Sequence, residues 1–184
     1  FFLGPGVVRK LAPSSVAARL LQGDTLHSLC KLPFGKACLT AKRGRLSKDV
    51  LTRHRRKWMN AVAAYIDEVS MIASDQFLQC DVRLRQAKMN SDARFGNLAV
   101  NICGDFLQLP PVDKQKGSRR SLAMPLDHHG RCDEQEATPD NALHHDRSVA
   151  SRVAERRQGF ELWRSITRVV CLTVIVRAPG VLSR

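Results

Sequence analysis

Two carboxylates stand side by side in Tyr65-Ile66-Asp67-Glu68-Val69-Ser70-Met71-Ile72. The apolar run Val62 to Ile66 leads straight into them. Such a run suits a buried parallel strand that delivers Asp67 and Glu68 to its C-terminal end. Two adjacent acids at a buried sheet edge are costly unless something pairs with them. A magnesium ion on nucleotide phosphates would be such a partner: one carboxylate holds the metal and the next orients the attacking water. Strands also end in acids that only face solvent, and the eight residues alone do not separate the two cases.

A second group is Asn101-Ile102-Cys103-Gly104-Asp105-Phe106-Leu107-Gln108-Leu109-Pro110-Pro111-Val112. A strand, a Gly turn and a carboxylate lead to Gln108, set between bulky residues and a rigid Pro pair. A neutral amide at a strand end can sense a phosphate oxygen. It can equally bond backbone in a buried turn. A Pro pair placed after a buried strand is a poor polyproline ligand.

Residues 36–57 carry nine Lys or Arg against Asp49 alone. The run is expected to contact a phosphate backbone or to form a solvated helix face, with Trp58 the one aromatic beside it. The chain of 184 residues has 30 Lys plus Arg and 17 Asp plus Glu, a net +13, which points to an anionic partner such as nucleic acid. His128, His129, Cys132, His144 and His145 match no zinc-ligand spacing. The six cysteines form no C-x-x-C pair, which speaks against a zinc finger or a disulfide framework and for reduced intracellular thiols. No apolar run approaches the ~18 residues of a membrane span, so no membrane partner is expected.

These residues need a frame. Val7 to Ala12 predicts a short strand, Ser14 or Ser15 caps a helix to about Gln22, and a helix begins near Lys48. Phe77, Leu78, Asp81, Leu84 and Arg85 follow helical spacing, with Asp81 and Arg85 a surface pair. Leu98 to Cys103 and Val169 to Val176 read as further strands. Apolar strands alternating with helices predict an α/β domain with a largely parallel sheet. Asp67, Glu68 and Asp105 then share the C-terminal strand ends, where such sheets bind ligands. Residues 113–159 are polar and aperiodic, and predict a disordered insertion between a domain at 1–112 and its continuation at 160–184.

Together the two groups resemble the Walker B segment and motif III of superfamily-one DNA helicases, in the form used by the Pif-one-like family and helitron-type helicases. That family reads "IDE-[IV]-SM", then "GDF-x-QLPPV", about 30 residues apart and in this order. Leu11-Ala12-Pro13-Ser14-Ser15-Val16-Ala17-Ala18, then Gly23-Asp24-Thr25-Leu26-His27-Ser28, is similar to its "APTG-x-AA … GG-x-T-[IL]-HS". Ser14 and Ser15 stand where the family prefers Thr and Gly. Leu172-Thr173-Val174-Ile175-Val176-Arg177 looks like its motif IV.

The resemblance implies a partial RecA-like domain that couples ATP hydrolysis to DNA unwinding in repair, recombination and telomere maintenance, in a nucleus or mitochondrion. It implies Asp67 as magnesium ligand, Glu68 as activator of water, Gln108 as sensor of the terminal phosphate and Arg177 as its cationic contact. Ser14, Ser15, Thr25, His27 and Ser28 would line a path for DNA, single-stranded or at a junction. ATP and Mg2+ are the implied cofactors.

One part is missing. No stretch reads G-x-x-x-x-G-K-[ST], the loop whose amides and lysine cradle phosphates. Gly4-Pro5-Gly6 passes directly to Val7, so a deletion there would remove both the loop and the crossover helix behind it. Weak or absent ATP binding is the expectation. The alternatives are an inactive nucleic-acid-binding remnant and a non-functional transposon-derived fragment.

Overall fold

The computed structural model describes residues 4, 6–33, 46–109, 111, 122 and 154–173. Four strands form one parallel sheet: β1 (Val8–Ala12), β2 (Asp24–Thr25), β3 (Ala63–Ile66) and β4 (Ala99–Ile102), in the order β2-β1-β3-β4. The helices are α1 (Ser15–Leu20), α2 (Leu26–Cys30), α3 (Lys48–Trp58), α4 (Ser74–Lys88) and a helix over 154–164, called α5. The expected α/β class and parallel sheet are present. Among the described residues no helix is long and apolar enough to cross a membrane.

Local chemistry explains the element starts. Ser14 caps α1 by accepting from Ala17 N–H at 3.1 Å, and Thr25 caps α2 by accepting from Ser28 N–H at 3.3 Å. Ser47 caps α3 in the same way through Val50 N–H. Alanine at the α4 cap has no oxygen, so Gln76 reaches back and accepts from Ala73 N–H at 3.1 Å.

Register decides what is buried. Leu11 pairs with Ile66, and Ile66 with Ile102, so these three share one sheet face. Leu11 and Ile66 are fully buried, in a core with Leu29, Trp58, Phe77 and Leu84 from α2, α3 and α4. Lys10, Tyr65 and Asn101 share the opposite face, and of these Lys10 and Asn101 are exposed. Lys10 Nζ donates to Leu21 O at 3.2 Å, which ties the end of α1 to that face. The continuous apolar runs predicted strands buried on both sides. Instead β3 alternates half-buried with buried, and β4 exposed with half-buried, because the described residues cover one face far more fully than the other.

Several expectations are corrected. Residues 169–173 form no strand and Val169, Val170 and Leu172 are exposed; 174–176 lie outside the described residues. Asp81 is no surface residue. It is 2% exposed, bonds Arg85 Nε at 2.8 Å and also accepts from Phe95 N–H. An aspartate at helical spacing looks solvated until a second segment closes over it, which residues 94–97 do. Within the polar stretch, Leu122 is buried in the core and 154–159 are already helical. Glu155 of α5 is buried and accepts from Gln79 Nε2 at 3.1 Å. Gly159 lets α5 approach α4, since a Cβ there would lie 1.8 Å from Ser74 O.

Candidate motor site at the carboxyl edge of the sheet

Asp67 directly follows β3, and its N–H donates to Leu11 O at 2.9 Å. The ladder therefore holds Asp67 at the edge of the sheet. Glu68 then turns the chain in the left-handed region, φ 52° and ψ 47°. That conformation costs a non-glycine residue about 1–2 kcal/mol, and such strain gathers where side-chain placement matters more than stability. A 3-10 turn at Val69–Met71 follows. Both carboxylates are half-buried, and no hydrogen bond or ion pair engages either side chain among the described residues.

The strand beside it brings the second group alongside. Cys103 N–H donates to Ile66 O at 2.8 Å, and Val69 N–H to Cys103 O at 3.0 Å. Gly104 then lies against Glu68 and Val69; a Cβ on it would sit 2.7 Å from Val69 N. Only glycine permits this approach. Asp105 closes the next turn, accepting from Leu107 N–H at 2.9 Å and from Gln108 Nε2 at 3.4 Å. Gln108 is exposed, and its N–H returns to Asp105 O. Its side chain thus belongs to a surface turn and not to a buried one.

An aromatic chain anchors this loop, a feature the motif reading missed. Phe106 meets Trp163 of α5 edge-on at 5.5 Å, Trp163 meets Phe77 at 5.9 Å, and Phe77 meets Phe95 at 5.6 Å. Residues 57 positions apart give no local sign of such contact. Tyr65, the first residue of the segment that carries the two acids, has a perturbed hydroxyl that its sequence does not mark. A hydrogen bond with the Cys103 side chain, then burial, then the charges of Cys103 and Asp67, push its hydroxyl up to about 12. It stays a neutral phenol beside the acids.

Register places the remaining residues on the same edge. Ala12 pairs with Thr25, so β1 and β2 end together. Thr25 is the last residue of β2, and Ser14, Ser15, His27 and Ser28 follow the two strand ends. Ser15 and Ser28 are exposed and the other three half-buried. His27 Nε2 lies 3.4 Å from Gln76 Nε2, which links this group to α4. Arg177 lies outside the described residues, as do Lys36, Lys42, Arg43 and Arg45 of the basic run and the cluster His128, His129, Cys132, His144 and His145.

The donor set can be tested against a metal. Asp67 and Glu68 offer hard, unpaired oxygens at an accessible edge, which fits magnesium. No group of three or more His, Cys, Asp or Glu gathers among the described residues. Magnesium commonly takes one or two carboxylates and completes its shell with water and phosphate.

The PIF1-like helicase family model matches residues 5–128, well over half of the chain. The chain belongs to the PIF1-like helicase family. The ATP-dependent DNA helicase PIF1 of Mus musculus is 35% identical over 103 residues, covering 56% of this chain and 15% of that protein. The PIF1 of Saccharomyces cerevisiae is 35% identical over 115 residues, covering 61% and 13%. The chain thus spans only a small part of these relatives. Among solved structures, Pif1 helicase from Bacteroides in complex with ADP-AlF3 and ssDNA is 32% identical with a TM-score of 0.52, over 62% of this chain and 26% of that one. A structure of two coordinating Pif1 helicases at forked dsDNA is 32% identical with a TM-score of 0.53, over 61% and 26%.

Proposed function

We propose that this chain is a motor-domain segment of an ATP-dependent DNA helicase, in which the carboxyl edge of the sheet is the part that couples ATP hydrolysis to movement on DNA and the missing phosphate loop impairs that coupling. The carrying observation is the parallel register of β3 and β4, which sets Asp67 and Glu68 beside the Gly104 to Gln108 turn. Asp67 would hold Mg2+ and Glu68 would orient and deprotonate water. Gln108 and Arg177 would attend the terminal phosphate. Magnesium, when bound, supplies charge neutralisation on the phosphates. Ser14, Ser15, Thr25, His27 and Ser28 would guide single-stranded DNA, and a Bacteroides relative was solved with ADP-AlF3 and ssDNA. Roles in repair, recombination and telomere maintenance, a nuclear or mitochondrial setting and a preference for DNA junctions belong to this same reading.

Hydrolysis of ATP by the purified chain, with and without single-stranded DNA, tests it. DNA-stimulated hydrolysis that Glu68→Gln abolishes supports the motor. Hydrolysis untouched by Glu68→Gln overturns the assigned role.

A second reading has its own observation. No G-x-x-x-x-G-K-[ST] occurs in the chain, so the residues that would grip the phosphates are missing. A nucleic-acid-binding segment without hydrolysis fits that loss. DNA binding with no turnover would favour it.

A further inference from the structure

The solvent face of α3 carries Arg53, Arg56 and Lys57 at i, i+3 and i+4, so the three cations are neighbours on one side of the helix. All three are exposed, and no ion pair or side-chain hydrogen bond engages them among the described residues. Crowding like charges at this spacing weakens a helix. Cations do favour a helix C-terminus, but here other residues fill that place. The Arg9 guanidinium donates to Lys57 O, and Lys88 Nζ donates to Trp58 O, Met59 O and Ala61 O at 3.3, 3.2 and 2.9 Å. The exposed triad is therefore not needed as a cap.

Its location separates it from the motor site. α3 runs into the start of β3, so the triad lies toward the amino edge of the sheet, opposite Asp67 and Glu68. Single-strand surfaces pair cations with exposed aromatics on which bases stack. The aromatic on α3, Trp58, is fully buried and donates to Leu29 O at 3.4 Å. A cationic face without a stacking platform fits a polymer whose bases are already stacked and whose phosphates lie outward. Arg53 to Lys57 spans about 6 Å of helix axis, close to two base-pair steps of one strand, about 7 Å.

We propose that Arg53, Arg56 and Lys57, with Arg9 beside them, form a second DNA contact that holds the phosphate backbone of duplex DNA at the amino edge of the sheet. The proposal rests on the helicase reading only in taking DNA as the polymer.

The test measures fluorescence anisotropy of a labelled blunt 20-base-pair duplex and of a 20-nucleotide oligo-dT, between 50 and 200 mM KCl. It compares the full chain, Arg53→Gln/Arg56→Gln/Lys57→Gln, and Thr25→Ala/His27→Ala. Thermal melts check that each variant keeps its fold. Neutralising the triad should weaken duplex binding at least tenfold at 50 mM. It should also lower the log–log salt slope by about 0.9 per lost contact, and change oligo-dT binding less than threefold. The Thr25→Ala/His27→Ala variant should do the reverse. If that variant leaves oligo-dT binding intact, the single-strand path fails while the triad proposal stands. Unchanged duplex binding in the neutralised variant overturns the proposal. So do equal losses for both DNAs, no duplex binding by the parent chain, or polyglutamate competing as well as duplex.

Discussion

At the scale of single residues, the carboxyl edge of the sheet depends on conformations that ordinary side chains resist. Gly104 sits at φ +154° against the backbone of Val69. Gly104→Ala should destabilise the chain by roughly 1–3 kcal/mol from backbone strain alone, with the close approach to Val69 adding to it. Urea unfolding measures this, and an unchanged midpoint would remove the close approach from the account. His54 makes a second case. Its ring is buried, Nε2 lies 3.1 Å from Arg83 O, and Nδ1 has no partner among the described residues. Burial lowers its pKa below the usual 6.5; the Arg83 carbonyl opposes this, while the charges of Arg83, Lys31 and Lys57 add to it. The unfolded chain therefore takes up the proton first. Stability is full above about pH 6.5 and falls as pH drops from there toward the lowered native value. Between pH 7.5 and 5.5 the urea midpoint should fall more for the parent than for His54→Gln, and equal falls would count against the assignment. Nothing in the sequence marks His54 as buried, because a histidine within a basic run has the pattern of a solvated residue.

At the scale of elements, α4 is the hub. It packs on α3, on α2 through Gln76 and His27, on α5 through Glu155, and on residues 94–97 through Asp81. Asp81→Ala would strip Arg85 and Phe95 N–H of one shared acceptor. Breaking a buried ion pair from one side typically costs about 3–5 kcal/mol; because Arg85 is 28% exposed, the expected loss is nearer about 2–3 kcal/mol. A loss below about 0.5 kcal/mol in chemical denaturation would return Asp81 to the surface role its spacing implied. The elements themselves were legible where periodicity was strong. Val7 to Ala12, Val62 to Ile66 and Leu98 to Cys103 each became a strand, trimmed by a residue or two at their ends. Val169 to Val176 looked equally apolar, yet 169–173 have no strand to pair with among the described residues. Hydrophobicity marks what can be buried, while a strand also requires an edge to accept it.

At the scale of the whole molecule, the described residues cover one face of the sheet far better than the other. The core lies between Leu11, Ile66 and the α2–α4 layer, whereas Lys10 and Asn101 face outward. A crossover helix behind a phosphate loop would belong to such a sheet, and the sequence contains no such loop. ATP should therefore bind this chain with a Kd above about 1 mM, as measured by calorimetry in the presence of magnesium. Micromolar affinity would mean that other residues replace the missing cradle.

The sequence by itself determined the α/β class, the largely parallel sheet and the family, because strand periodicity and two short motifs are local properties, whereas the strand order came from the structure. It also set Asp67, Glu68 and Asp105 together at the C-terminal strand ends, because each stands just after an apolar run. Only the tertiary structure decided that Asp81 is buried, that Trp58 is withdrawn from solvent, that Phe106 rests on Trp163, and that the cations of α3 lie toward the edge opposite the carboxylates. Each of these depends on contact between segments far apart in the chain. Burial and electrostatic neighbourhood are set by those contacts and leave no periodic trace in the sequence.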